Sequence, residues 1–300
     1  MTGAEHTIEK PVGPTAERTP TEPVTPPVRQ PRGILAVLAY LWLGAVILAA
    51  VFADVLPLAP YDRPIGAPRL APQLGSLDLL LGTDRLGRSM LSRCVYGARV
   101  SLLVGAAAGT IGSMAGGALG MVAGYLRGRT DSLIRLVTDA MLAFPPLILL
   151  LALASVLTPS LRTILVGLTL LVIPAFIRLA RANTLAWASR DFVTAARTLG
   201  ATDRRILTRE ILPNLIPSLG AFLPVVMAAL IVAEGSLSFL GMGIPPPTPS
   251  WGGMISDGKD SLSGFPHIVF VPAAFIFLTV FSLNQAGDHL RHRFDRGLRD

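Results

Sequence analysis

DFVTAARTLGATDRRILTREILPNLIP, running from Asp191 to Pro217, is an arginine-rich segment that follows one long uncharged run, Thr163 to Ile177, and passes into another, Ile211 to Ala233. Within it Phe192, Ala195, Ala196 and Leu199 recur at i, i+3, i+4 and i+7, which places one small apolar face on a short helix. Gly200 ends that helix as a C-terminal cap, and Thr202 or Asp203 is placed to cap a second one. Two short helices joined by a glycine turn, held between membrane spans by basic residues, suit a knob that enters the groove of a soluble partner. An ordinary basic cytoplasmic loop is the competing reading.

Working outward, 51% of the chain is hydrophobic and 15% is charged, a balance that points to an integral membrane protein. Six uncharged runs are visible: Gly33 to Ala53, Val100 to Leu126, Ala140 to Leu161, Thr163 to Ile177, Ile211 to Ala233 and Ser261 to Gly287. A helix needs about 20 mostly apolar residues to cross a bilayer. The run at Thr163 falls short, so its span requires Arg178 and Arg181 to snorkel to the interface. The expected fold is all-α, a polytopic bundle of six transmembrane helices.

Basic residues set its orientation. With the N-terminus inside, the inner segments hold four in the N-terminal tail, then Arg127, Arg129 and Arg135, then seven from Arg178 to Arg209 and four from Arg291 to Arg299. Eight remain outside, so both termini are expected in the cytoplasm. The same arginines are dispersed over loops without interleaved aromatics, which argues against nucleic-acid binding.

Residues 1–32 are polar and rich in proline and threonine, and read as a disordered cytoplasmic tail. The first span and an external segment occupy 33–99. In that segment Leu86, Met90, Leu91 and Val95 mark the apolar side of an amphipathic helix lying on the outer surface, with Arg85, Arg88 and Arg93 left to water or headgroups. A core of five spans follows over 100–287, interrupted by a cytoplasmic loop at about 189–217, and 288–300 form a cytoplasmic C-terminal tail. Gly105, Gly109, Gly112, Gly116, Gly120 and Gly124 stripe the second span and mark a close packing seam. Pro145 and Pro146, Pro174, Pro224 and Pro272 interrupt the other four.

Charges within reach of the bilayer are few. Asp139 opens the third span and Glu234 closes the fifth, and both are expected at the interface rather than in a buried proton relay. A carrier driven by protons or sodium would place more polar groups near the midplane. Their scarcity argues for an outside energy source, yet the chain has no GxxxxGK[ST] loop, since neither Lys10 nor Lys259 sits in one. His6, His267, His289 and His292 do not cluster, the lone Cys94 excludes cysteine-pair metal sites, and no serine has a convincing histidine partner. No catalytic residue, metal site or cofactor is expected in this chain.

These residues resemble the inner-membrane permease subunits of ATP-binding-cassette importers, whose cytoplasmic motif is Glu-Ala-Ala, three residues, Gly, then a spacer and Ile-Leu-Pro. Here it reads Thr194-Ala195-Ala196, Gly200, then Ile211-Leu212-Pro213, with Thr194 in place of the glutamate. A threonine there still hydrogen-bonds locally. More closely, the chain is similar to the second permease of dipeptide, oligopeptide and nickel importers. That likeness rests on Gly82-Thr83-Asp84 with Gly87-Arg88, Tyr96-Gly97-Ala98-Arg99, Leu212-Pro213-Asn214, Glu234 followed by Leu237 to Gly241, Trp251-Gly252, and Gly287-Asp288 with Leu290-Arg291.

The resemblance implies a type I importer permease in a bacterial cytoplasmic membrane. Its partners would be a homologous permease completing a heterodimeric pore, two cytoplasmic ATPases that bind ATP and Mg, an extracytoplasmic binding protein and membrane lipid. Asp191, Phe192, Thr194, Ala195, Ala196, Leu199, Gly200, Ile211 and Pro213 would couple to an ATPase. Glu234 and Trp251 are candidates for gating or the outer face, and Gly241 to Phe265 would meet the binding protein. Short peptides are the expected cargo. Nickel or another small solute is the alternative, and an ion-coupled carrier or a membrane scaffold would be a different class.

Overall fold

The computed structural model describes residues 34–158 and 160–296. The expected tail at 1–32 lies outside the described residues, as do residues 297–300 of the C-terminal segment. Ten α-helices are described: α1 Ile34–Val51, α2 Met90–Leu126, α3 Gly128–Ala143, α4 Pro146–Val156, α5 Leu161–Ala188, α6 Asp191–Thr198, α7 Asp203–Arg205, α8 Leu212–Phe239, α9 Trp251–Gly258 and α10 His267–Arg296. A π-helical turn, Ile206–Ile211, joins α7 to α8. Among the described residues, β-type pairing is limited to two isolated bridges, Pro64 with Arg88 and Thr83 with Ser89.

Five stretches are long and apolar enough to cross a membrane: α1, α2, α5, the continuous run Asp203–Phe239, and α10. The expected third span is not one rod. It is split into α3 and α4, which meet at 87°. Phe144 and Pro145 both precede a proline, which crowds the α conformation, and both take extended ψ values of 130° and 127°. Pro174, Pro224 and Pro272, in contrast, lie inside uninterrupted helices.

The core forms where α2, α5 and α8 meet. Val104 and Ala108 of α2 pack with Leu168, Val172 and Phe176 of α5 and with Val226 and Leu230 of α8. The glycine seam makes this approach possible. A Cβ at Gly116 would lie 2.6 Å from the Ile173 carbonyl oxygen, and one at Gly124 would lie 2.8 Å from that of Arg181. Gly112 and Gly120 face Val172 and Ile177 of the same helix in the same way, so the seam is packing within the chain. A second core joins Leu43 and Val46 of α1, Ile231 of α8, Trp251 of α9 and Leu283 of α10.

The external segment differs from its expected form. Its amphipathic helix is simply the first turns of α2, and Arg88 and Arg93 are buried rather than left to water. Both arginines converge on Asp84: Arg88 Nε lies 2.6 Å from Oδ2 and Arg93 Nε lies 3.5 Å away. Arg93 also reaches Asp257 of α9 at 3.6 Å, and Arg85 reaches the same carboxylate at 3.3 Å. Asp84 additionally accepts from the amides of Leu86 and Arg88. Asp84 and Arg88 are tolerated in the interior because they are paired and hydrogen-bonded, while Arg93 is ion-paired there with its Nη1 left without a hydrogen-bond partner. Nearby, Arg99 donates to the Ala50 and Val51 carbonyls at the end of α1 and to Asp54. The hydrogen bond from Arg99, seconded by Tyr96, holds the Asp54 carboxyl below the ordinary aspartate range.

Candidate functional site

The segment from Asp191 to Pro217 folds against the end of α2 remote from the Asp84 cluster. Helix α6 has the expected length. Its apolar residues divide between two faces. Val193 is fully buried, with Ala196 at the edge, against Tyr125, Ile206 and Ile211. Phe192 and Leu199 point away and are 40% and 88% exposed, and Ala195 is exposed between them. Of that periodic set, Phe192, Ala195 and Leu199 therefore form an outward face with no covering element among the described residues, while Ala196 leans toward the seat. The inward face, built on Val193, is one residue out of phase with it.

Gly200 closes α6 with φ +80°. The Ala201 amide donates to Ala196 O and the Gly200 amide to Arg197 O, each at 3.0 Å, a Schellman pair that satisfies the free carbonyls of the last turn. A left-handed residue is needed there, and glycine adopts it without steric cost. Thr194 forms a local bond, its hydroxyl donating to Arg190 O at 3.4 Å. The second helix is not a separate unit. Thr202 precedes α7 without a side-chain cap bond, and α7 passes through the π turn directly into α8. Consequently α6 packs against a continuous α7–α8 rod through Val193, Ile206 and Ile211.

Polar contacts fix this seat. Tyr125 of α2 donates to Asp203 Oδ1 at 2.6 Å and accepts from Arg197 Nη2 at 3.3 Å, with the Arg197 guanidinium 5.7 Å above its ring. Arg190 covers Trp187, which in turn packs near Phe192. Arg181 of α5 grips Asp131 of α3 with Nε and Nη2 at 2.5 and 2.7 Å, and Arg178 reaches Asp139 at 2.8 Å. These two arginines are ion-paired, beyond the snorkelling expected of them. Of the residues expected to couple, Asp191, Phe192, Thr194, Ala195, Leu199, Gly200 and Pro213 are exposed and Ala196 is half-buried, whereas Ile211 is completely buried. Ile211 supports the knob from behind. Tyr125, Val193 and Asp203 complete the seat; sequence periodicity did not single out Tyr125 or Val193, because their partners are distant in the chain.

Toward the opposite end of α2, Glu234 is fully buried among protein side chains. Ser238 donates to Oε1 at 2.7 Å and Ser101 of α2 to Oε2 at 3.3 Å. Trp251 is likewise buried rather than displayed on an outer surface. Its indole donates to Cys94 O at 2.9 Å and its amide meets Ser101 Oγ at 3.4 Å. The two residues form a node joining α2, α8 and α9. No group of three or more potential metal-ligating residues occurs among the described residues.

Residues 116–300 match the family described as the binding-protein-dependent transport system inner membrane component. Over 262 residues the chain is 37% identical to the glutathione transport system permease protein GsiD of Escherichia coli O1:K1 / APEC, covering 87% of this chain and 86% of that protein. It is 39% identical over the same length to GsiD of Shigella flexneri serotype 5b (strain 8401), with the same coverage. An inward-facing structure of the MetNI methionine ABC transporter superposes with a TM-score of 0.59 at 18% identity, over 68% of this chain and 97% of that one. At that identity the likeness speaks for the fold alone.

Proposed function

Because the chain belongs to the binding-protein-dependent transport system inner membrane components, we propose that it is the pore-forming permease of an ATP-driven importer of short peptides. The observation that carries the coupling role is the outward apolar face of α6, with Phe192, Ala195 and Leu199 exposed on a helix whose other side is firmly seated. Such a face, rimmed by Arg190 and Arg197, suits a groove in a soluble ATPase. The peptide cargo is inferred from the glutathione relatives, glutathione being a modified tripeptide.

In this reading the α6 end faces the cytoplasm, both termini lie on that side, and a homologous permease completes the pore. Two ATPases bind ATP and Mg, this chain performs no hydrolysis of its own, and an extracytoplasmic binding protein delivers cargo. ATPase closure displaces α6. The Tyr125 to Asp203 bond and the buried Val193, Ile206 and Ile211 carry that displacement into α2 and α8, the helices of the central core. Coupling then needs only that ATPase contacts differ between the inward-facing and outward-facing states.

The test is peptide-stimulated ATP hydrolysis by this chain reconstituted with its neighbouring permease, ATPases and binding protein. Stimulation by short peptides, abolished by Ala195→Arg in a complex that still assembles in the membrane, is the expected outcome. Stimulation by nickel instead of peptides would overturn the cargo. Failure of any ATPase to associate would overturn the coupling assignment.

A further inference from the structure

Helix α3 is fastened by charge, not by apolar burial. None of its residues belongs to an apolar core among the described residues, and Thr138 is its one buried residue. The Thr138 hydroxyl donates to Ile134 O of its own helix and so ties α3 to nothing else. Leu133, Leu136 and Val137 are exposed, on the side of α3 opposite to Arg135, Thr138 and Asp139. Toward α5 the helix presents Asp131 and Asp139, and α5 meets them with Arg181 and Arg178. Between the two helices a cleft of about 400 Å³ remains, lined by Arg135, Thr138, Asp139, Ile177, Arg178 and Arg181.

Both ends of α3 are turns. At its start Arg127 and Gly128 have φ of +54° and +59°, and after its end Phe144 and Pro145 take extended ψ values. Two consecutive residues at each end thus depart from helical dihedrals, which suits them to absorb a change of angle. The neighbours beyond these turns are fixed, α2 by its glycine seam against α5 and α4 by Leu150 in the central core.

The two ion pairs are unequal. Arg181 grips Asp131 through two nitrogens, with side chains 26% and 15% exposed, whereas Arg178 meets Asp139 through one, with side chains 61% and 57% exposed. An exposed pair of the second kind adds little stability and is screened by salt, so it is the first to part. Only Ser189 and Arg190 separate the end of α5 from α6.

We propose that α3 is a strap, hinged at Arg127 and Gly128 and at Phe144 and Pro145, which displacement of α6 peels from α5 at the Arg178 to Asp139 pair while Arg181 keeps its hold on Asp131. This rests on the coupling role assigned to α6 above. It gives the displacement a second route, through α5 into the bent α3 and α4 segment, besides the one through Tyr125.

The test joins two thiols across the exposed pair. In the reconstituted transporter, Arg178→Cys with Asp139→Cys bridged by a short disulfide-forming linker is expected to lose peptide-stimulated ATP hydrolysis and to regain it when the linker is reduced. The buried Cys94 stays out of that reaction. Unchanged stimulation with the strap bridged overturns the proposal. A second measurement needs neither cargo nor nucleotide: hydrogen exchange of α3 in the nucleotide-free complex. Asp139→Asn should speed it up to about fivefold, with α2 unaffected, and Asp139→Arg with Arg178→Asp should return it toward the wild-type rate, a rescue that a disturbed fold does not give. Exchange of α3 that ignores Asp139→Asn also overturns the proposal. The expected exchange pattern in a wild-type complex that no peptide stimulates would fault the cargo assignment and leave the strap standing.

Discussion

Glu234 shows how much a single buried side chain can join. Its two oxygens accept from Ser238 on its own helix and Ser101 on α2, and Ser101 in turn meets the amide of Trp251 at the start of α9. Replacement by alanine strips two hydroxyls of their acceptor and leaves a void, a loss of about 2–3 kcal/mol. Glu234→Gln keeps the volume and a hydrogen-bonding amide, so thermal unfolding of the assembled complex should fall clearly for the alanine variant and little for glutamine. Gly116 is constrained by space instead. The Cβ of Gly116→Ala would collide with the Ile173 carbonyl and the Phe176 side chain, forcing α2 and α5 apart at about 1–3 kcal/mol, measurable as a lowered unfolding temperature. Gly200 has open space around it but a φ of +80°, so Gly200→Ala strains the backbone alone by about 1–2 kcal/mol. Increased protease cleavage between α6 and α7 is the expected readout. The glycine at the turn was legible because a helix stop has a local signature, whereas the burial of Glu234 depends on Ser101, distant in sequence.

At the scale of one element, α6 separates folding from coupling. Its inward face contains Val193, completely buried, and its outward face contains Leu199, almost completely exposed. Val193→Asp places an unpaired charge in an apolar seat, so the variant should accumulate poorly in the membrane, as measured by immunoblotting. Leu199→Asp leaves the seat untouched. It should reach wild-type membrane levels yet lose ATPase association in a pull-down, the opposite pattern. Equal loss of membrane level in both variants would show that α6 has no free face. The i, i+3, i+4, i+7 spacing revealed one of these faces. It gave no sign that Val193, one step out of phase, anchors the helix, because burial on α6 is decided by Tyr125, Ile206 and Ile211.

Across the whole molecule, α2 connects two polar assemblies, with the Asp84, Arg88, Arg93 and Asp257 cluster near its start and the Tyr125, Asp203 and Arg197 seat at its end. A glycine-packed helix between them can carry displacement because its neighbours leave little slack. Asp257→Asn removes the charge that meets Arg85 and Arg93, so hydrogen exchange should rise in α9 and in residues 83–93 while α6 keeps its protection. Apolar run lengths and the proline pair at 145–146 determined by themselves an all-α membrane chain, five of its spans, the break in the third apolar run and the short helix that begins at Asp191, since each follows from local hydrophobicity, backbone sterics and spacing. Tertiary structure alone decided that Arg93, Glu234 and Trp251 are interior and that Ile211 supports the knob without lying on its surface. Local polarity cannot settle those points. Arg88 finds Asp84 four residues away, but Arg93 also meets Asp257, and Glu234 also meets Ser101, partners from distant segments that the packing of the helices brings together.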